Sequence, residues 1–209
     1  GVMTHYFSED NNTLKSNPKV IAFSVNNTPL EFKTDNGVFS KSNLDRGTEV
    51  LLKYLEIDES TKNVLDLGCG YGTIGIYINK KYGLSVDMVD INQRAIELSI
   101  HNVELNSTEA NVFKSDGFLN IEKKYDLIIT NPPIRTGKEL IYKFFGDAVS
   151  YLNKNGSLIL VINKKHGAES ALKFLKTLYS NIEILGRKKG FYVIKCKINW
   201  LFDRYMILY

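Results

Sequence analysis

The chain has 209 residues, 44% hydrophobic and 24% charged, a composition that excludes a disordered or fibrous protein and allows one sizeable α/β core. Its formal net charge of +4 and pI near 8.8 permit nucleic acid as a partner without requiring it. No apolar run reaches the roughly 18 residues of a membrane span, and Cys69 and Cys196 lack the paired spacing of a metal site or a disulfide framework. The expectation is a soluble cytoplasmic protein with reduced thiols, no structural metal and no membrane partner.

In chain order, "KVIAFSV" and "LEFKT", divided by the turn-rich "NNTP", predict a small β-hairpin, and "DNGVFSKSNLD" reads as a loop. Asp45 is placed to cap a helix through "RGTEVLLKYLEI", where Val50, Leu51, Tyr54 and Leu55 recur at helical spacing. Strands then alternate with helices. "NVLDL", "SVDMVD", "NVFKS", "YDLIIT" and "GSLILVI" read as strands; "TIGIYINKKY", "QRAIELSIHNVEL", "KELIYKFFGDAVSYL" and "ESALKFLKTLY" read as helices. Two further strands, "IEILGRKK" and "GFYVIKCKI", close the series as an antiparallel hairpin. This alternation implies an α/β fold with a doubly wound, mostly parallel, seven-stranded sheet in one domain over residues 1–209. The aromatic tail "NWLFDRYMILY" is expected to pack on its own domain.

Ligands of such sheets bind outside the carboxyl ends of the strands. The first parallel strand ends in "VLDLGCGYGTIG", whose glycines allow a tight turn and close backbone approach to a ligand at the next helix. Gly70, Gly72 and Gly75 form a literal G-x-G-x-x-G, so a nicotinamide dinucleotide is one reading. Asp66, two residues ahead of Gly68, would repel a pyrophosphate but suits an amino group and a sulfonium. Asp90 ends the second strand, where a carboxylate accepts from ribose hydroxyls, or else caps the following helix. Asp116 follows the third strand and suits an adenine amine, or else belongs to an Asp-Gly turn. Three acids at successive strand ends describe a pocket for a nucleoside carrying an amino-acid arm.

The fourth strand runs into "NPPIRTGK". Pro132 and Pro133 end strand pairing and make a rigid corner with Asn131 at its hinge. The Asn131 side-chain carbonyl and a backbone carbonyl beside Pro132 are two acceptors held at that corner.

At these motifs the chain resembles the class I S-adenosylmethionine-dependent methyltransferases. "VLDLGCGYG", "VDIN", "SDGF" and "NPPI" are similar to their glycine-rich, ribose-binding, adenine-contacting and catalytic motifs. With "NGVFSKSNLDRGTEVLL" and "VINKKHGAESALKFLK", the chain looks like the catalytic domain of small-subunit ribosomal RNA guanine-N2 methyltransferases in the methyltransferase small domain family. The resemblance implies S-adenosyl-L-methionine as cofactor. It implies that Asp66, Gly68, Cys69, Gly70 and Gly72 surround its methionine part, that Asp90 holds the ribose with Ile91 against the adenine, and that Asp116 and Gly117 line the adenine edge. Phe39 and Ser40, with Asp45, Gly47 and Thr48, match a loop that covers the cofactor, so residues 1–44 are expected to form a hairpin and cover. Asn131, Pro132, Pro133 and Ile134 take the catalytic positions. The resemblance also implies that Asn131 touches the cofactor and that its carbonyl, with the one beside Pro132, accepts from an amine conjugated to a ring, turning the lone pair of this poor nucleophile outward.

The implied reaction is methylation of the exocyclic N2 amine of a guanine in ribosomal RNA, free or within an assembling particle, by a monomer or a homodimer. Two departures bear on it. Ile134 stands where many amino methylases carry an aromatic ring that stacks on a flipped base. The larger ribosomal RNA enzymes also have a further domain ahead of the catalytic one, so RNA docking here falls to this domain, a second copy or another protein. Arg135, Lys138, Lys164, Lys165 and His166 are candidate RNA contacts on the rim. Adenine-N6 methylation, methylation of a protein glutamine amide, a nicotinamide oxidoreductase and a cofactor-binding module without catalysis are the alternatives.

Overall fold

The structure is a computed structural model that describes residues 17–35 and 45–198. Phe39, Ser40, most of the loop they belong to and the "NWLFDRYMILY" tail lie outside the described residues. In chain order the elements are β1 (Lys19–Val25), β2 (Thr28–Thr34), α1 (Arg46–Tyr54), β3 (Asn63–Leu67), α2 (Thr73–Tyr82), β4 (Ser85–Asp90), α3 (Gln93–Leu105), β5 (Asn111–Lys114), β6 (Tyr125–Thr130), α4 (Lys138–Ala148), β7 (Leu152–Asn163), α5 (Ala168–Leu178), β8 (Asn181–Lys188) and β9 (Phe191–Lys197).

β3 to β9 form one seven-stranded sheet in the order β5-β4-β3-β6-β7-β9-β8. β3, β4, β5, β6 and β7 run parallel, while β9 pairs antiparallel with both β7 and β8. This is the expected doubly wound, mostly parallel seven-stranded sheet with its C-terminal antiparallel hairpin, a Rossmann-like arrangement. Both faces of the central strands are covered, so β3 and β4 bury nearly every residue. One core gathers Leu51, Ile76, Met88 and Val193 under α1, α2 and α3; the other gathers Ile128, Phe145, Leu160 and Leu175 under α4 and α5. The chain builds outward from β3 to β5, then returns to the other side of β3 as β6. The gap between the ends of β3 and β6 is therefore the switch point, and there the Thr130 hydroxyl donates to the Leu67 carbonyl at 2.8 Å.

β1 and β2 make a separate two-stranded sheet around Asn26 and Asn27, both at positive φ (47° and 64°), the backbone that a two-residue hairpin turn needs. Its free edge meets α3 instead of another strand. Asn102 accepts from Lys33 N–H at 2.7 Å and donates to Lys33 O at 3.0 Å, and Asn106 does the same for Glu31 at 3.0 and 2.7 Å. The two amides stand in for a strand partner, which satisfies β2's outward backbone. A further Asn102 bond to the Tyr71 carbonyl, 2.7 Å long, ties this edge to the glycine loop.

β7 differs from the expected strand by starting four residues earlier, at Leu152. Leu152 pairs with Tyr125 ahead of a register shift, and Asn155 lies at φ 65°. The polar run "NKN" hides this bulged beginning from any apolar pattern.

Candidate active site

Backbone geometry at the end of β3 sets the glycine loop. Gly68 and Cys69 both donate to the Val89 carbonyl, at 2.9 and 2.8 Å, which draws the loop onto β4. Gly68 and Gly70 lie at φ 75° and 55°, and a Cβ on either would project into open space. The loop therefore presents bare backbone outward, as close approach by a ligand demands. Gly72 and Gly75 serve packing instead. A Cβ on Gly72 would lie 2.8 Å from Ile76 Cδ1, and one on Gly75 2.7 Å from the Met88 side chain.

Gly75's bare Cα lets its N–H reach Asp66 Oδ2 at 2.9 Å. Asp66 is fully buried, and its other oxygen has no donor among the described residues. Burial, with the nearby Asp90 charge, lifts its pKa to about 7 despite the Gly75 bond. Asp90 is held at both oxygens, Oδ2 by Gly70 N–H and Oδ1 by Asn92 N–H, each at 2.9 Å. Each carboxylate oxygen still has a second lone pair for a hydroxyl. Asn92, rather than Asp90, caps α3 by accepting from Arg94 and Ala95 N–H. Cys69 is buried with its Sγ 3.5 Å from Ser99 Oγ, and burial pushes its thiol well up; its part in the loop is its backbone. Ile91 is buried directly after Asp90.

Asn131 is half-buried at the end of β6. Its Nδ2 donates to Asp45 Oδ2 at 2.7 Å and to Thr48 Oγ1 at 3.1 Å. Both amide hydrogens are thereby taken, so Oδ1 is turned away from them as an acceptor. Asp45 serves twice, since the same Oδ2 accepts Thr48 N–H at 3.0 Å and caps α1. Gly47 leaves the room: a Cβ there would lie 3.2 Å from Asn131 Nδ2 and 3.1 Å from Phe191 Cε1. Sequence reasoning left Phe191 unassigned, because its approach to Asn131 comes from an element far along the chain. Pro132 is buried, and the Pro133 carbonyl is occupied by Thr136 N–H (3.1 Å) and Oγ1 (2.7 Å). Ile134 opens a short 3-10 turn and packs against the α4 and α5 core.

Gly68, Cys69, Tyr71, Thr73 and Ile74 close around one small cavity with Asp45, Thr48 and Asn131. Burial pushes the Tyr71 phenol up to about 12, so it stays protonated. Asp116 lines a different cavity of about 540 Å³, with Phe118, Leu119, Leu140, Lys143 and Phe144. It is exposed in an Asp-Gly turn whose Gly117 (φ 57°) lies beneath Phe144.

The methyltransferase small domain family model matches residues 29–195. The chain belongs to this family. Among relatives of this methyltransferase small domain chain, Bacillus subtilis YbxB, described only as uncharacterized, is 39% identical over 197 residues, covering 92% of this chain and 98% of the relative. "Ribosomal RNA small subunit methyltransferase C" of Psychromonas ingrahamii is 37% identical over 183 residues, covering 85% of this chain and 51% of the relative. The chain thus spans about half the length of that named enzyme. The T. thermophilus 16S rRNA N2-guanine methyltransferase, solved with AdoMet and guanosine, superposes with a TM-score of 0.78 over 89% of this chain and 52% of the other, at 22% identity, which is a likeness of fold.

The family implies S-adenosyl-L-methionine, and the residues present fit it. Gly68 and Gly70 open onto unfilled space, the buried Asp66 oxygen lacks the donor that an ammonium or its water would bring, and Asp90 offers fixed acceptors one strand over.

Proposed function

We propose that this chain is an S-adenosylmethionine-dependent N-methyltransferase that modifies the exocyclic N2 amine of a guanine in small-subunit ribosomal RNA. The observation that carries the reading is the Asn131 amide, whose two hydrogens are held by Asp45 and Thr48 so that its carbonyl is left to accept from a substrate amine at the switch point. The named ribosomal RNA methyltransferases among the relatives, and the guanosine bound in the T. thermophilus structure, support the choice of RNA guanine. Such a substrate is met in the cytoplasm, where ribosomes assemble.

When bound, S-adenosylmethionine supplies an electrophilic methyl, released from its sulfonium to the amine nitrogen. Gly68, Gly70 and Asp90 would hold the cofactor, with Asp66 beneath the loop. Asn131 Oδ1 accepts one amine hydrogen. The second goes to the Pro132 carbonyl, since Thr136 occupies that of Pro133. Two acceptors on one nitrogen favour a pyramidal amine with its lone pair free, and positioning then carries most of the rate. The surplus proton leaves to water from the methylated nitrogen, so no strong base is needed. Ile134 is held in packing, and the aromatic rings beside Asn131 are those of Tyr71, in the same cavity, and of Phe191, across Gly47.

The test is tritiated-methyl transfer to RNA, DNA and protein fractions followed by nucleoside mass spectrometry. N2-methylguanine in RNA is expected. Asn131→Ala should bind S-adenosylhomocysteine within about twofold of wild type by calorimetry while transfer falls on the order of a hundredfold. Label confined to DNA or protein rejects the substrate, and binding of NADH but not S-adenosylhomocysteine rejects the reaction.

A further inference from the structure

The N-terminal turn of α1 shows Asp45, Gly47 and Thr48 to Asn131, and its next face carries a different chemistry. Arg46, Lys53, Lys188 and Lys189 line one cleft between α1 and the tip of the β8–β9 hairpin, with Glu49 as its single acid. All four cations are exposed, and none forms an ion pair with another described residue. Four positive charges against one negative, left unneutralised side by side, make a site for anions spaced along a polymer.

The walls of the cleft are fixed. β8 shifts register at Gly186, whose bare Cα lies against the Tyr54 ring of α1; any side chain there would collide with that ring. The tip turns through Lys189 and Gly190 at φ 53° and 84°, a two-residue turn in which asparagine is the favoured first residue. A lysine held left-handed there is the less favourable choice for the backbone, and it sets an ammonium at the tip. Lys164 N–H donates to the Gly190 carbonyl at 2.7 Å, so the Lys164–His166 turn after β7 continues the basic rim. The cleft adjoins the candidate active site along the chain, because Arg46 lies between Asp45 and Gly47, and Phe191 follows the tip directly.

We propose that the cleft between α1 and the β8–β9 tip is the docking site for the RNA phosphate backbone, reading charge and delivering a nucleotide to Asn131. This rests on the methyltransferase reading above. The partner chemistry is a single-stranded or looped RNA segment whose phosphates follow Lys53, Arg46, Lys188 and Lys189. The cleft recognises backbone and not sequence, so it sets affinity while the site around Asn131 sets which base reacts.

The experiment is filter binding of a labelled ribosomal RNA fragment across a salt series, with methyl transfer to the same RNA and S-adenosylhomocysteine binding measured alongside. Lys188→Gln with Lys189→Asn removes two charges while giving the turn a better first residue. It should keep or raise Tm, leave S-adenosylhomocysteine binding unchanged, weaken RNA binding about tenfold at low salt, and lower the slope of log affinity against log salt by roughly one to two. Lys80→Gln with Lys81→Gln, at the far end of α2, removes the same charge and should leave RNA affinity within about twofold. Equal loss in both double variants, or an unchanged affinity and slope in the first, overturns the cleft. A wild type that methylates no RNA fraction removes the methyltransferase reading, and with it this inference; a wild type that methylates while the tip variant binds normally removes the inference alone.

Discussion

At Asn131 a single amide does one task because its other half is occupied. An asparagine with free hydrogens could present either end to a substrate; here Asp45 and Thr48 take both, and the carbonyl is left to accept. Asp66 has a comparable dependence on its surroundings. Its raised pKa, about 7, means that the native protein keeps a proton which the unfolded chain releases near 3.8. The stability this contributes is present at acid pH and is lost as pH rises through about 7. An ammonium-bearing ligand favours the ionised form, so S-adenosylhomocysteine should bind roughly tenfold more tightly at pH 8 than at pH 6, as calorimetry would read. In Asp66→Asn both trends should flatten. A wild-type affinity that is level from pH 6 to 8 would show that Asp66 does not meet the ligand's charge.

The elements have divided duties that no single segment announces. α1 is a nine-residue helix whose cap residue also holds the Asn131 amide, so helix formation and assembly of the candidate site are one event. Asp45→Ala should remove about 1 kcal/mol of capping, seen in urea unfolding, and lower kcat roughly ten- to a hundredfold by releasing the Asn131 hydrogens. Asp45→Asn keeps an acceptor for both donors and should recover most of each loss. Equal activity in the two variants would reduce Asp45 to a cap. The Asp45 cap was readable as an acid ahead of periodic apolar residues. Its second partner was not, because Asn131 lies 86 residues away in the chain and only the sheet brings them together. Phe191 was hidden for the same reason: its strand was legible, but its place across Gly47 follows from β9 lying beside β7.

Across the whole molecule, the C-terminal hairpin is tied to the base of the sheet by charge as well as by strand pairing. Lys195, nearly buried in β9, reaches Asp58 Oδ1 at 2.7 Å, and Lys197 reaches Oδ2 at 2.6 Å. Burial raises the Asp58 carboxyl, but the two lysines outweigh it and hold it below its ordinary value. This stabilisation is present above about pH 4 and is lost as pH falls through the lowered pKa. Asp58→Asn leaves Lys195 short of its counter-charge and should cost about 2–3 kcal/mol at pH 7 by urea unfolding, with the difference from wild type shrinking toward pH 3. No difference at pH 7 would show the pair to be neutral.

The order of strands and helices, the glycine loop and the proline corner were all legible in the chain, because each is local: apolar period, turn residues and the missing proline N–H act over a few neighbours. The strand-end acids Asp66 and Asp90 were legible for the same reason. What the tertiary structure decided was which groups meet. Asp116 stands at a strand end like the other two acids, yet faces a separate cavity beside α4. Ile134 follows the motif, yet turns into the second core. The basic cleft joins α1 to a hairpin tip more than a hundred residues later, and neither segment is notable by itself. Sequence spacing determines conformation along the chain, whereas proximity across it depends on strand order and on where a bare Cα at Gly47 or Gly186 lets two elements close.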